Sequence, residues 1–165
     1  VRFNSSIIEG ESAETRFVID YLVALGRPKL IEFSNGYQNM QEHWDLAIDD
    51  VRIDVKGQRR LSRAGSFNEE FAIFELLNVN GKTGWGYGKA DIIAYEFAEE
   101  WVLVERSALA DYVFSNVDLS EVVYTFSGPL KNQTRKGRND SFTWIPRDAI
   151  EGMYVNKIKK KANVF

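Results

Sequence analysis

Two aspartates and a lysine, set close together, are the residues of this chain best suited to chemistry. The stretch His43 to Arg60 reads HWDLAIDDVRIDVKGQRR, with two alternating runs, Trp44 to Ile48 and Val51 to Lys56, flanking Asp49 and Asp50. That pattern predicts a hairpin closed by a short turn. A period of two puts Trp44, Leu46, Ile48, Val51, Ile53 and Val55 on a core face, and Asp45, Ala47, Arg52, Asp54 and Lys56 on the other. With a two-residue turn, Ile48 pairs with Val51 and Asp45 falls opposite Asp54. Directly opposed residues have Cβ atoms about 4.5–5.5 Å apart, and like charges there repel. A divalent cation shared by both carboxylates offsets the repulsion, and Lys56 adds an ammonium on the same face. The set suits phosphodiester hydrolysis, in which a hard cation held by carboxylates binds phosphate oxygens and activates water. The plainer alternative is a solvated hairpin face whose charges point into water.

Other elements must position these groups. From Glu9 to Leu25, Phe17, Val18, Tyr21, Leu22 and Leu25 fall on one helical stripe, and Gly26 and Pro28 supply a stop. One turn earlier the stripe reaches Glu14, a carboxylate at the end of a buried face; the alternative is an acidic residue favouring the helix N-terminus. Leu30 to Phe33 predicts a short strand, followed by a loop carrying Tyr37, Gln38 and Asn39. Past Lys56, Gln58 continues the alternation, placed to orient a water or touch a phosphate, or to serve as a surface amide. Phe71 to Val79 reads as a strand buried on both faces, with a helix as the alternative. The glycines at 81, 84, 86 and 88 mark a turn around Trp85 and Tyr87 without the context of a phosphate-binding loop. Ala90 to Tyr95, Trp101 to Val104 and Phe142 to Ile145 predict strands. Leu109 to Phe114 and a piece from Arg147 predict helices. Asp91 is a further acidic candidate, or a surface residue.

Composition bounds the class. A chain of 165 residues, 44% hydrophobic and 27% charged, fits one domain over 1–165, burying on the order of 70% of its unfolded surface. No apolar run approaches the roughly 18 residues of a membrane span, and the charged, Ser-containing start does not read as a signal peptide, so a soluble cytoplasmic protein is expected. With no cysteine and His43 as the sole histidine, any metal site is an oxygen site. Net charge is −3, yet more than half of the basic residues fall in three clusters: Arg59, Arg60 and Arg63; Lys131, Arg135, Lys136 and Arg138; Lys157, Lys159, Lys160 and Lys161. Such patches can meet a phosphate backbone even on an acidic protein; solvated loops and a frayed tail are the alternative.

Asp45 on one strand, followed across a turn by Ile53-Asp54-Val55-Lys56, resembles the active site of the PD-(D/E)xK nuclease superfamily, with Asp54-Val55-Lys56 as its D-x-K. Trp44 stands where the superfamily has its leading Pro. Gly10-Glu11-Ser12-Ala13-Glu14-Thr15-Arg16 and the helix closing at Gly26 resemble the opening of archaeal Holliday-junction resolvases, whose helix Glu contributes to the metal site; Glu14 is the matching residue. The resemblance covers residues 9 to 60. It implies an α/β fold with a restriction-endonuclease-like core, a mixed central sheet flanked by helices. It implies a Mg²⁺-dependent deoxyribonuclease, with Mn²⁺ substituting, cutting internally in DNA of phage, mobile-element or branched kinds. Glu14, Asp45, Asp54 and the Val55 carbonyl would be metal ligands, with Lys56 and Gln58 beside them in the chemistry. Arg59, Arg60, Arg63, Lys131, Arg135, Lys136 and Arg138 would hold the DNA backbone. Cutting both strands with one site per chain favours a homodimer. A catalytically inert nucleic-acid-binding or assembly module on the same fold, and an unrelated α/β interaction domain, are the other readings.

Overall fold

The hairpin forms where the alternation places it. Strands β2 (Leu46–Ile48) and β3 (Val51–Lys56) run antiparallel with Ile48 opposite Val51 and Leu46 opposite Ile53. Asp49 and Asp50 take φ of 47° and 69°, the left-handed pair whose twist matches that of a hairpin and that Asp tolerates better than most residues. The computed structural model describes residues 5–62 and 64–161, with side chains from residue 13 onward.

Around this hairpin a six-stranded mixed sheet is built. Strand β1 (Ile31–Phe33) pairs antiparallel with β2, while β3 pairs in parallel with β5 (Ile92–Glu96). Strand β6 (Glu100–Glu105) and then β10 (Tyr154–Lys159) continue antiparallel, giving the order β1-β2-β3-β5-β6-β10. Helix α1 (Ser5–Leu25) covers one face: Ala13 and Phe17 pack with Leu46, Ile53, Val55, Trp101 and Ile158. Gly26, at φ 81°, closes the helix by donating its N–H to the Leu22 carbonyl. The last turn runs off the sheet, so Leu25, expected on the buried stripe, is exposed.

The other face of the sheet is equally dry. A second mixed sheet, β4 (Phe71–Leu77), β9 (Ser141–Pro146), β8 (Lys131–Thr134) and β7 (Asp118–Val123) in that order, lies against it together with α2 (Arg106–Asn116) and α3 (Arg147–Gly152). Phe74, Leu109, Ile145 and Ile150 meet Ile93, Tyr95, Val102 and Val104 in this second core. Each such side chain contributes about 1.5–3 kcal/mol through burial. The chain is thus α/β with mixed sheets.

Two expectations are corrected. Trp44 joins Ala47 in the second core, on the opposite side from Leu46 and Ile53. The cause is a slip in the ladder: the Asp45 N–H donates to the Ile53 carbonyl, whereas the register of β2 would carry Asp45 on to Asp54, and the alternation breaks there. Val51, expected in the core, is 42% exposed beside the turn. The basic tail, for which a frayed end was the alternative reading, follows α3 as the ordered strand β10 and buries Ile158. Among the described residues no helix is long and apolar enough to cross a membrane.

Candidate active site

Asp45 is fixed from four directions. Its N–H and C=O bond to Ile53 and Ser34, its Oδ1 accepts from Asn39 Nδ2 at 2.8 Å, and its Oδ2 accepts from the Val55 N–H at 2.7 Å. Asn39 reaches it from the wide helical turn Gln38–Glu42, whose entry is set by Asn35 and Gln38 each donating a backbone N–H to the other's side chain. His43, left-handed at φ 58°, ends that turn and leads the chain to Trp44. A carboxylate so held loses little freedom on binding a ligand.

Asp54 lies one residue along from the core-facing Ile53 and is 3% exposed. Its Oδ1 lies 2.8 Å from Lys56 Nζ, while its Oδ2 is buried with no hydrogen-bond partner among the described residues. Burial pushes its carboxyl up to about 7. The Lys56 ammonium opposes that rise, and the Asp45 carboxylate adds to it. Lys56 Nζ also sits 4.3 Å from the Trp85 ring centroid, a cation–π contact that holds the ammonium against the cleft wall. On α1, Glu14 is raised by burial and further by Asp45, with Lys56 pulling the other way. Its Oε2 is buried and unpartnered among the described residues. Asp45 and Lys56 thus lie within electrostatic reach both of Glu14 and of Asp54.

Asp45, Asp54 and Lys56 line an open cleft of about 510 Å³, and Glu14 lies outside its walls. Also in the cleft are His43, Glu75, Lys82 and Trp85, which sequence reasoning did not assign to a site. His43 is held below its ordinary pKa by burial and by Lys56, with Glu75 opposing, so its ring is neutral at pH 7. The glycine-rich stretch was the available signal for Trp85: a Cβ on Gly86 would lie 2.2 Å from the Phe74 ring, so only glycine lets the Trp85–Tyr87 turn lie across β4. A second cleft, of about 460 Å³, shares Glu75 and Trp85 with the first and holds Arg59, Arg60 and Arg135. Arg59 and Arg60 of one basic cluster thus share a groove with Arg135 of another.

Not every expected residue is there. Gln58 turns away, donating its side-chain amide to Glu69 and its backbone N–H to Glu96. Lys131, Lys136 and Arg138 are exposed and line neither cleft, and Arg63 lies outside the described residues. Lys157 and Lys160 pair with Glu151 and Glu96. Asp91 accepts the Arg52 N–H, bracing β3 to β5.

Among the described residues no three His, Cys, Asp or Glu side chains converge as a ready-made metal site. The donor chemistry nevertheless suits a hard cation: the side-chain oxygens belong to Asp45, Asp54 and Glu14, and two of them, Asp54 Oδ2 and Glu14 Oε2, are buried without a partner among the described residues. Orphaned buried carboxylate oxygens are costly, and a bound cation would relieve that cost. Compared with protein-family models, with curated proteins and with solved structures, the chain matches none.

Proposed function

We propose that this chain is a Mg²⁺-dependent endonuclease acting on DNA, a single domain with a restriction-endonuclease-like core of the PD-(D/E)xK kind. The observation that carries this reading is the pairing of a fixed Asp45 with a buried Asp54, whose one oxygen is on Lys56 and whose other is unpartnered among the described residues, at the wall of an open cleft. Asp45 and Asp54 would hold the cation, with Glu14 and the Val55 carbonyl as further oxygen donors. The bound ion would supply Lewis acidity toward a phosphate oxygen and a more acidic water. Lys56 would contribute separately: its ammonium, braced by Trp85, would stabilise the negative charge that grows on the phosphoryl oxygens. Arg59, Arg60 and Arg135 would hold the strand beyond the cleft. DNA and Mg²⁺ would be met in the cytoplasm, and cleavage of both strands of a duplex would take two copies.

The rival reading, an inert nucleic-acid-binding module, draws on the same Lys56–Asp54 ion pair, which satisfies an oxygen the cation would want. Cleavage decides between them. With Mg²⁺ or Mn²⁺ the wild-type chain should cut at least one of linear, nicked and branched DNA. Lys56→Ala should cut more slowly by about a hundredfold yet titrate metal normally by calorimetry, whereas Asp54→Asn should lose both cleavage and metal. A wild-type chain that cuts none of these substrates leaves the inert module.

A further inference from the structure

We infer that the second cleft takes the unpaired bases of a single-stranded or splayed nucleic-acid strand, so that the substrate delivered to Asp45, Asp54 and Lys56 is not a closed duplex. The inference rests on the nuclease reading for the chemistry at the first cleft and goes beyond it in naming the substrate class. Glu75 and Trp85 line both clefts, so the two adjoin and a strand held in the second lies beside the first. The volume of the second, about 460 Å³, is that of a pocket for a small organic group.

Its walls match a nucleotide with an exposed base. Arg59, Arg60 and Arg135 supply cationic guanidinium planes. Two of them are braced, Arg60 over the Phe67 ring at 4.8 Å and Arg135 by its ion pair with Asp140. Phe142, half-buried and edge-on to the buried Trp144 with ring centroids 6.0 Å apart, gives the aromatic wall. Unpaired bases stack on such surfaces whatever their sequence. Beneath this wall Trp144 Nε1 and Asp140 Oδ1 are buried with no hydrogen-bond partner among the described residues. Buried polar atoms of that kind call for a partner. A base freed from its pair also offers its Watson–Crick donors and acceptors, which a duplex keeps paired. The exposed Lys131, Lys136 and Arg138, which would suit the outside of a duplex, lie beyond both clefts.

Binding measured in EDTA, where no metal-dependent cleavage proceeds, tests this directly. Fluorescence anisotropy of a short labelled oligothymidine strand and of a blunt duplex should give an affinity at least about tenfold higher for the single strand. Phe142→Ala should weaken the single strand about tenfold and leave the duplex unchanged. Arg59→Gln, on an exposed side chain that does not threaten folding, should flatten the salt dependence of strand binding. Blunt duplex bound as tightly as the single strand overturns the inference, as does a Phe142→Ala chain, folded by circular dichroism, that binds the strand like wild type. Failure here is separable from failure of the nuclease reading. A chain that prefers single strands but cuts nothing keeps the cleft and loses the enzyme; one that prefers and cuts blunt duplex does the reverse.

Discussion

Asp54 is held in a place that disfavours its charge. Desolvation outweighs the Lys56 ammonium, and the folded carboxyl titrates near 7 where the unfolded one titrates at 3.8. The sign follows: between those values the folded chain keeps a proton that the unfolded chain has lost, so stability is highest below the unfolded pKa and falls as pH rises toward 7. Wild-type melting temperature should therefore drop between pH 5 and pH 8 by more than the rest of the chain accounts for. Asp54→Asn, which carries no charge to desolvate, should be more stable than wild type at pH 8 by roughly 2–4 kcal/mol, a difference that shrinks at pH 5. Urea titrations at the two pH values measure it. Equal stability of the two chains at pH 8 would mean that Lys56 and solvent satisfy Asp54 fully. Asp54 and Lys56 were legible from spacing alone, because alternation along β3 fixes which side chains share a face, whereas Asp45 reaches the cleft past a break in the alternation that spacing does not show. Glu75 and His43 were not legible, since their place in the cleft depends on how the second sheet lies against the first.

At the scale of elements, alternation revealed strands where one face is apolar and failed where packing is less regular. The hairpin, β5, β6 and β9 carry strong patterns and stand close to where these place them, and α2 forms over its expected residues with almost no amphipathic period. Strand β7 is almost wholly exposed, and β10 buries only Ile158, so neither shows a hydrophobic period to be read. Trp44 was misplaced because a slip in a ladder leaves no mark on the sequence. Helix α1 shows a further hidden device. Asp20, 5% exposed, lies among apolar residues and accepts the Trp101 indole N–H at 2.9 Å and the Lys161 backbone N–H at 2.8 Å. Removing it strands a buried donor, so Asp20→Ala should cost about 1–3 kcal/mol, while Trp101→Phe in the same background should recover part of that loss. Additive losses in the double variant, measured by urea unfolding, would deny the pairing.

Across the whole molecule, Glu96 ties together the parts that carry the site. From the end of β5 it accepts both Nε and a terminal nitrogen of Arg16 on α1 at 2.8 Å, Lys160 Nζ just past β10 at 2.8 Å, and the Gln58 N–H beyond β3. Its side chain is 1% exposed. Burial alone would raise its pKa, but the bonds from Arg16 and Lys160 outweigh burial and hold it below the ordinary value of 4.5. A depressed carboxyl contributes stability that is complete above the unfolded pKa and is lost as pH falls through the folded one. Glu96→Gln keeps the shape and loses the charge, leaving two cations near a neutral amide. It should destabilise the chain by roughly 2–4 kcal/mol near neutral pH, a gap that narrows once wild-type Glu96 is itself protonated in acid. The consequence reaches the site because Arg16 and Glu14 stand on the same helix, two residues apart. If Glu96 anchors α1, loosening it displaces Glu14 from Asp45 and Asp54. Cleavage should then fall at Mg²⁺ concentrations that saturate wild type and recover at higher Mg²⁺, while strand binding in EDTA, which uses Arg59, Arg60 and Arg135, stays unchanged. Loss of both cleavage and strand binding in a folded Glu96→Gln chain would place the effect on the groove as a whole, and the role given to α1 would fail.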